Sequence, residues 1–403
     1  MPIFREIPPT AGFPFYASDL ASLLKAKPSL EQDFKDYLGV PYLQVTYSGT
    51  AALYIILEGL KKISARKTVI IPSFVCPLVP LAIKRAGLEV KVCDINKTDF
   101  DFAAGQLQQL CSLDNDILAV IAVHLAGIAQ DFAAIKEACA RNAVFIIEDC
   151  AQSLGARYQG KKVGTLGDFG FFSLCRGKGA TIYEGGAIAA KEEKFFNPID
   201  DTIKRLVRRN LLSEGLKILE LFGYWIFYRP LFFWYVWRLP QIFWEARGEK
   251  LKAQLEYFTG SFPLNSVSAF RKSLGSIHFL RLKKEIASQR EKAFYYIENL
   301  KNTPGIRLIT EPAGTEATYP YLTLLFEEPA KCKKARKVFR GSGLGVSGIY
   351  AAAITDYDYL KDITGDSACP NARYLAEREI TLSTSAFLTK KDLDCIISKI
   401  KQL

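Results

Sequence analysis

The runs Ile117-Leu-Ala-Val-Ile-Ala-Val123 and Val144-Phe-Ile-Ile-Glu-Asp149 decide how this chain folds. Each is a short apolar stretch rich in β-branched residues and without polar alternation, the pattern of a strand buried on both faces of a parallel sheet. Outward from them, the same pattern gives strands at Leu43–Thr46, Thr68–Ile71, Glu89–Cys93, Gly170–Ser173 and Ala187–Ala190. Between these lie helical segments at about 50–63, 76–86, 104–112 and 131–141. Strands alternating with helices predict an α/β layer architecture, a mostly parallel sheet covered by helices.

The rhythm breaks at 191, first with basic residues and then with a concentration of aromatic ones. Beyond it the spacing predicts a long helix over 265–301, a strand near 319–326, a helix near 330–340 and a strand around Ile380–Leu382. A closing helix starts at Thr389, where T-x-x-D has the form of a capping box. The expected division is a large domain over 1–260, carrying an aromatic and basic insert at about 201–252, and a smaller α+β domain over 261–403.

Hydrophobic residues make up 49% of the chain and charged residues 24%, which excludes a disordered or collagen-like protein. The net charge of +11 points to anionic partners. Nucleic acid is not expected, because the basic cluster is interleaved with bulky apolar runs and accompanies no base-reading motif. Nine cysteines without a C-x-x-C pair indicate neither a disulfide framework nor a thiolate zinc site. His124 and His278 are the only histidines, so no multi-histidine metal site exists and no metal is expected. The cysteine usage, and the start MPIFREIPPT without a secretory pattern, place the protein in the cytoplasm.

Three short motifs could carry chemistry. Ser48-Gly49-Thr50 stands between a strand and a helix start, where free N–H groups and the helix dipole favour an anion. Ordinary N-capping explains the same residues. Asp149 ends a buried strand at the edge where open α/β sheets bind ligands, with Gln152 three residues on. It could equally cap the next helix. Lys178 follows the apolar run Phe171-Phe-Ser173 and precedes Glu184-Gly-Gly186. A desolvated lysine there becomes a nucleophile, and Ser173 could bind a phosphate. An anion site, a strand-end carboxylate and a strand-following amine are together what pyridoxal 5'-phosphate requires for its phosphate, ring nitrogen and aldehyde.

With these motifs in order, the sequence resembles the DegT/DnrJ/StrS family of pyridoxal-phosphate-dependent sugar aminotransferases, which have the aspartate-aminotransferase fold (fold type I). The resemblance rests on S-G-T-A-A-L at 48–53, A-I-x-x-A-G at 82–87, H-L-A-G at 124–127, E-D-C-A-Q-S-L-G-A at 148–156, G-T-L-G-D at 164–168, F-S-L-C-R-G-K at 172–178 and A-E-R-E-I-T-L-S-T-S-A-F-L-T at 376–389. It implies that Lys178 forms the Schiff base, that Asp149 contacts the pyridinium nitrogen and that Gln152 lies beside the ring. Ser48, Gly49, Thr50 and Ser173 would hold the phosphate. It implies a homodimer, glutamate as amino donor and a keto-sugar on a nucleotide or lipid diphosphate as acceptor. Members that dehydrate their sugar carry histidine where this chain has Lys178, so transamination is expected.

Three features depart from the family. Cys76 stands where an aromatic ring usually stacks on the cofactor. Asn265 is a candidate substitute for the family's cross-subunit asparagine, in a different register. The third is the insert, where ten Lys/Arg and five acids over 201–252 supply +5 of the net charge, and where all four tryptophans fall. Its 216–244 stretch fits either a dimer interface or a peripheral contact with an anionic membrane on its inner face. Alternatives to the sugar aminotransferase are a related enzyme acting on a membrane-embedded non-sugar carbonyl and an inactive scaffold on the same fold.

Overall fold

Every residue of Ile117–Val123, Thr68–Pro72 and Gly186–Ala190 is buried, as continuous apolar runs require when helices cover both faces of a sheet. The structure is a computed structural model that describes residues 4–23, 29–140, 142–253 and 256–403. The first nine strands are β1 (Tyr42–Thr46), β2 (Thr68–Pro72), β3 (Glu89–Cys93), β4 (Ile117–Val123), β5 (Phe145–Asp149), the two-residue β6 (Arg157–Tyr158) and β7 (Lys161–Lys162), β8 (Phe169–Ser173) and β9 (Gly186–Ala190). Seven of them form one sheet in the order β1-β9-β8-β5-β4-β2-β3. The pairs from β3 across to β8 are parallel, whereas β9 runs antiparallel to both β8 and β1. The α/β expectation, a mostly parallel sheet with helical cover, is met.

Helices α1 (Ala17–Leu23), α2 (Leu30–Leu38), α3 (Gly49–Leu60), α4 (Leu78–Arg85), α5 (Ala104–Leu113) and α6 (Phe132–Ala140) precede or connect these strands. Ser29 caps α2, and Gly39, at φ 74°, ends it in the left-handed conformation. The helix expected from 76 starts two residues later, at Leu78, after Pro77.

The stretch that breaks the strand rhythm is helical: α7 (Phe196–Leu206), α8 (Leu211–Phe227), α9 (Pro230–Ala246) and α10 (Lys250–Ala253). Asn210 caps α8, and Pro230 at the first turn of α9 separates the two 17-residue helices. The long helix α11 runs over Ala269–Leu300, its start set by the Ser268 cap. Leu274 near its beginning packs with Phe15, Leu221 and Tyr224, whereas Tyr296 near its end donates to the carbonyl of Ser383.

After α11 come β10 (Ile306–Ile309), β11 (Thr315–Glu316), β12 (Tyr321–Phe326), α12 (Pro329–Phe339), α13 (Lys361–Thr364), α14 (Pro370–Arg378), β13 (Glu379–Ser383) and α15 (Lys390–Lys401). The antiparallel sheet β10-β12-β13 is separate from the seven-stranded one. β12 starts later than 319 because Tyr319 sits at φ 49°, outside the extended region. The capping box at α15 forms: Asp392 N donates to Thr389 Oγ1, and Thr389 N donates to Asp392 Oδ2. Residues 5–15 lace the parts together. Arg5 makes a bidentate pair with Asp392, Ser383 donates to the Pro8 carbonyl, and Ala11 N donates to the Pro320 carbonyl.

Candidate active site

Parallel pairing places the carboxyl ends of β5 and β8 side by side, with Asp149 opposite Phe171 in register. Asp149, the last residue of β5, and Ser173, the last of β8, therefore emerge at one edge. From Ser173 the chain enters a tight loop closed by hydrogen bonds from Leu174 N to Gly185 O and from Arg176 N to Tyr183 O. Gly177, at φ 76°, adopts the left-handed conformation this turn needs, and Lys178 follows it. The N-terminal segment clamps the loop: Thr10 Oγ1 donates to the Gly177 carbonyl, and Phe13 N donates to the Lys178 carbonyl. Lys178, Ser173, Gln152, Thr10, Gln289 and Tyr321 line one cleft, so five separate parts of the chain converge there.

Burial pulls the Lys178 amine below its ordinary pKa, opposed by the nearby Cys76, Cys175 and Asp149. Asp149 shows the complementary strain. Burial pushes its carboxyl up to about 6, against the pull of the Ala151 N–H and the Lys178 charge. Among the described residues its one hydrogen bond comes from Ala151 N to Oδ1, so Oδ2 is open to a ligand's N–H. A buried carboxylate with a free oxygen is stabilised by a protonated ring nitrogen.

The anion motif takes both of its sequence readings at once. Ser48 is the N-cap of α3, its Oγ accepting from Ala51 N at 3.0 Å, while Ala52 N donates to the Ser48 carbonyl. The Gly49 and Thr50 N–H groups have no protein acceptor among the described residues, so two donors remain at the helix start. Gly49 also approaches β8 closely: a Cβ there would stand 3.3 Å from Ser173 Cβ. Helix start and strand end thus form one cradle, in which the Ser173 hydroxyl is a third donor. Cradle, open carboxylate and desolvated amine fit the three chemical demands of pyridoxal phosphate.

Gln152 is fixed by two donors, Ala126 N and the hydroxyl of Tyr321. Cys76, half-buried ahead of α4, has its thiol pushed up to about 11 by burial, with Asp149 and Lys178 among the charges it feels. Asn265, expected to serve the neighbouring subunit's cleft, donates its amide to Ser213 at 3.1 Å, beside the backbone bridge to Arg208. His124, Glu148 and Cys150 bring three atoms of metal-ligand type within 4.8 Å of one another. The His124 and Glu148 atoms are engaged, however: His124 Nδ1 accepts from Gln130 N, its Nε2–H donates to Glu148, and Glu148 accepts three further N–H groups from Gly164, Leu166 and Gly167.

Residues that local sequence patterns miss complete the site. Tyr321 opens β12 and reaches Gln152, and Tyr350 lies against Phe74 at 5.2 Å with Cys76 and Asp149 within electrostatic reach. Thr10 and Phe13 come from the other end of the chain. No motif marks them, because their roles depend on contacts across more than 160 residues.

Comparison with known proteins gives the family and the fold. A profile described as the DegT/DnrJ/EryC1/StrS aminotransferase family matches residues 18–206 and 252–401, leaving 207–251 unmatched between the two blocks. The chain is 31% identical over 167 residues to GDP-perosamine synthase of Escherichia coli O157:H7, covering 41% of this chain and 45% of that protein. It is 28% identical over 185 residues to GDP-4-keto-6-deoxy-D-mannose 3-dehydratase of Yersinia pseudotuberculosis, covering 45% and 47%. The chain thus spans about half the length of the curated relatives it matches. Among solved structures, PseC of Helicobacter pylori, an aminotransferase involved in pseudoaminic acid biosynthesis, superposes with a TM-score of 0.74 at 16% identity over 99% of both chains, a likeness of fold. The chain belongs to the DegT/DnrJ/EryC1/StrS aminotransferase family.

Proposed function

We propose that this protein is a pyridoxal-phosphate-dependent aminotransferase that moves an amino group from glutamate to a keto-sugar carried on a nucleotide or lipid diphosphate. The observation that carries it is the convergence of Lys178, Asp149 and the Gly49–Ser173 cradle at neighbouring strand ends. When bound, the cofactor supplies an electron sink for the carbon that loses its proton. The chain's own residues do the rest. Gly49 and Thr50 N–H with Ser173 hold the phosphate, while Asp149 accepts from the ring N–H and keeps that nitrogen protonated. Lys178 offers an amine whose proton burial has loosened, and its Nζ takes up and returns the migrating proton. Gln152 and Cys76 border the ring. Lysine at 178 supports transamination over dehydration.

The resemblance supports a homodimer. The separate sheet β10-β12-β13 supports a small domain over 261–403 beside a large one over 1–260. We place the protein in the cytoplasm, peripheral on the inner membrane face through 216–244. That segment favours a second acceptor class, a membrane-embedded carbonyl. The test is mass spectrometry after incubation with nitrogen-labelled glutamate and a panel of keto-sugar nucleotides and lipid diphosphates. Label in an amino-sugar product is expected. Failure of every amino donor to yield its own 2-oxo acid would remove the transaminase assignment.

A further inference from the structure

Residues 207–251, the block the family profile leaves unmatched, hold α8 and α9, whose outer faces have an unusual surface. Every residue from 211 to 246 that stands fully exposed is uncharged. Leu212 is 85% exposed, Leu219 67% and Leu216 60%, and on α9 Phe232, Leu239 and Phe243 continue the face. Their spacings of three, four and seven residues put each set on one side of its helix. Isolated exposed hydrophobes are ordinary on soluble proteins, but a contiguous face of them marks a contact.

The charges from 211 to 246 are all turned to partners. Glu214 pairs with the buried Arg271, Lys217 sits between Glu184 and Glu220, Arg229 donates to the Phe15 carbonyl, and Arg238 pairs with Glu245. Unpaired cations bracket the face instead. Lys204, Arg208 and Arg209, ahead of α8, are exposed and have no ion-pair partner among the described residues, and Arg247, just after α9, covers the Phe243 ring.

We propose that the outer faces of α8 and α9 dock on the surface of an anionic lipid bilayer. Composition favours lipid over a second copy of the chain. Protein hot spots are rich in Trp and Arg and poor in Leu, whereas six exposed leucines (211, 212, 216, 219, 231 and 239) lead here and all four tryptophans are only half-exposed. Half-sunk tryptophans behind an apolar front, with cations at the margin, match the layering of headgroups over acyl chains. The contact lies in the interface and does not cross it. At 17 residues each helix is only about 25 Å long, and no helix among the described residues is long and apolar enough to span.

The inner face connects this surface to the cleft. Tyr224 donates to the Phe13 carbonyl and Tyr228 to the Thr10 carbonyl, and these same two residues clamp the Gly177–Lys178 loop. Docking would therefore set the Lys178 cleft beside the headgroups, which favours the membrane-borne acceptors, lipid diphosphate or embedded carbonyl, over the nucleotide-borne one. That corollary rests on the aminotransferase proposal; the docking itself does not.

The test is co-sedimentation of full-length protein at low salt with phosphatidylcholine vesicles, with and without about one third phosphatidylglycerol. Wild type should pellet with the anionic vesicles and be released by salt. A Leu212→Ser/Leu216→Ser/Leu239→Ser variant, altered only at exposed positions, should lose binding while keeping its melting temperature and oligomeric size. Lys204→Gln/Arg208→Gln/Arg209→Gln should weaken binding on the order of a hundredfold, at roughly fivefold per charge. Wild type that ignores anionic vesicles, or a leucine variant that dissociates into smaller species, would overturn the proposal and make the face a contact between copies. Vesicle binding by protein that takes up no pyridoxal phosphate would uphold the docking and overturn the function.

Discussion

Thr10 Oγ1 donates to the carbonyl of Gly177 at 2.9 Å, joining residues 167 positions apart and fixing the peptide that leads into Lys178. A lysine that must act as nucleophile and proton carrier needs its backbone held, and this hydrogen bond with the one from Phe13 N supplies the hold. Thr10→Val keeps the side-chain shape and removes the donor. It should cost about 1 kcal/mol in stability and quicken cofactor loss on dialysis, measured by thermal melting and absorbance. Unchanged retention would show that the clamp is incidental.

Gly49 and Ser173 make a second close approach, with a hypothetical Cβ on Gly49 standing 3.3 Å from Ser173 Cβ and 3.4 Å from the Phe172 carbonyl. Gly49→Ala should therefore narrow the cradle and weaken pyridoxal 5'-phosphate binding, while pyridoxal without its phosphate is affected little. Titration of both ligands against wild type and variant checks this. Equal losses for the two would place the phosphate elsewhere.

Asp149 gives a pH dependence whose sign follows from its raised pKa. Its folded-state value, about 6, lies above the ordinary 3.8. The cofactor-free folded protein thus binds more protons than the unfolded chain between these values, and stability rises as pH falls from above 6 toward 4. Asp149→Asn removes the buried charge, so at pH 8 the cofactor-free variant should exceed wild type by a few kcal/mol, a gap that closes toward pH 4. Turnover should nevertheless fall, because a neutral amide does not hold the ring nitrogen protonated. Denaturant melts at several pH values test the first effect, and a variant less stable than wild type at pH 8 would contradict it.

Arg271 is fully buried, and its guanidinium forms a bidentate pair with Glu214, tying α11 to α8. Glu214→Gln should destabilise by about 3–5 kcal/mol, since it leaves a buried cation without its counter-charge. Glu220→Gln, on the same helix but half-exposed, should change stability by less than about 1 kcal/mol. Similar losses for both would mean that solvent reaches the Arg271 pair.

Much of this was legible in the sequence, for identifiable reasons. β2, β4, β5 and β9 are continuous apolar runs, and such runs have few other places to go in a chain of alternating helices. Asp149 and Lys178 could be placed because strand ends are where parallel sheets present side chains. The helicity of 211–246 was not legible, since aromatic and aliphatic residues on nearly every face obscure a 3.6-residue period. Tyr321, Tyr350 and Thr10 were hidden for another reason: their partners lie far away in the chain, and only the assembled fold brings them to the cleft.

Borohydride reduction of the pyridoxal-phosphate-loaded protein, followed by peptide mapping, tests most directly whether Lys178 is the residue that bonds the cofactor. Reduction makes a lysine–cofactor bond permanent, so the modified residue is read by mass. The predicted result is a phosphopyridoxyl group on Lys178 alone, absent from Lys178→Ala and prevented when glutamate is added before the reductant. A well-folded protein that carries the group on other lysines, or on none, would contradict the account.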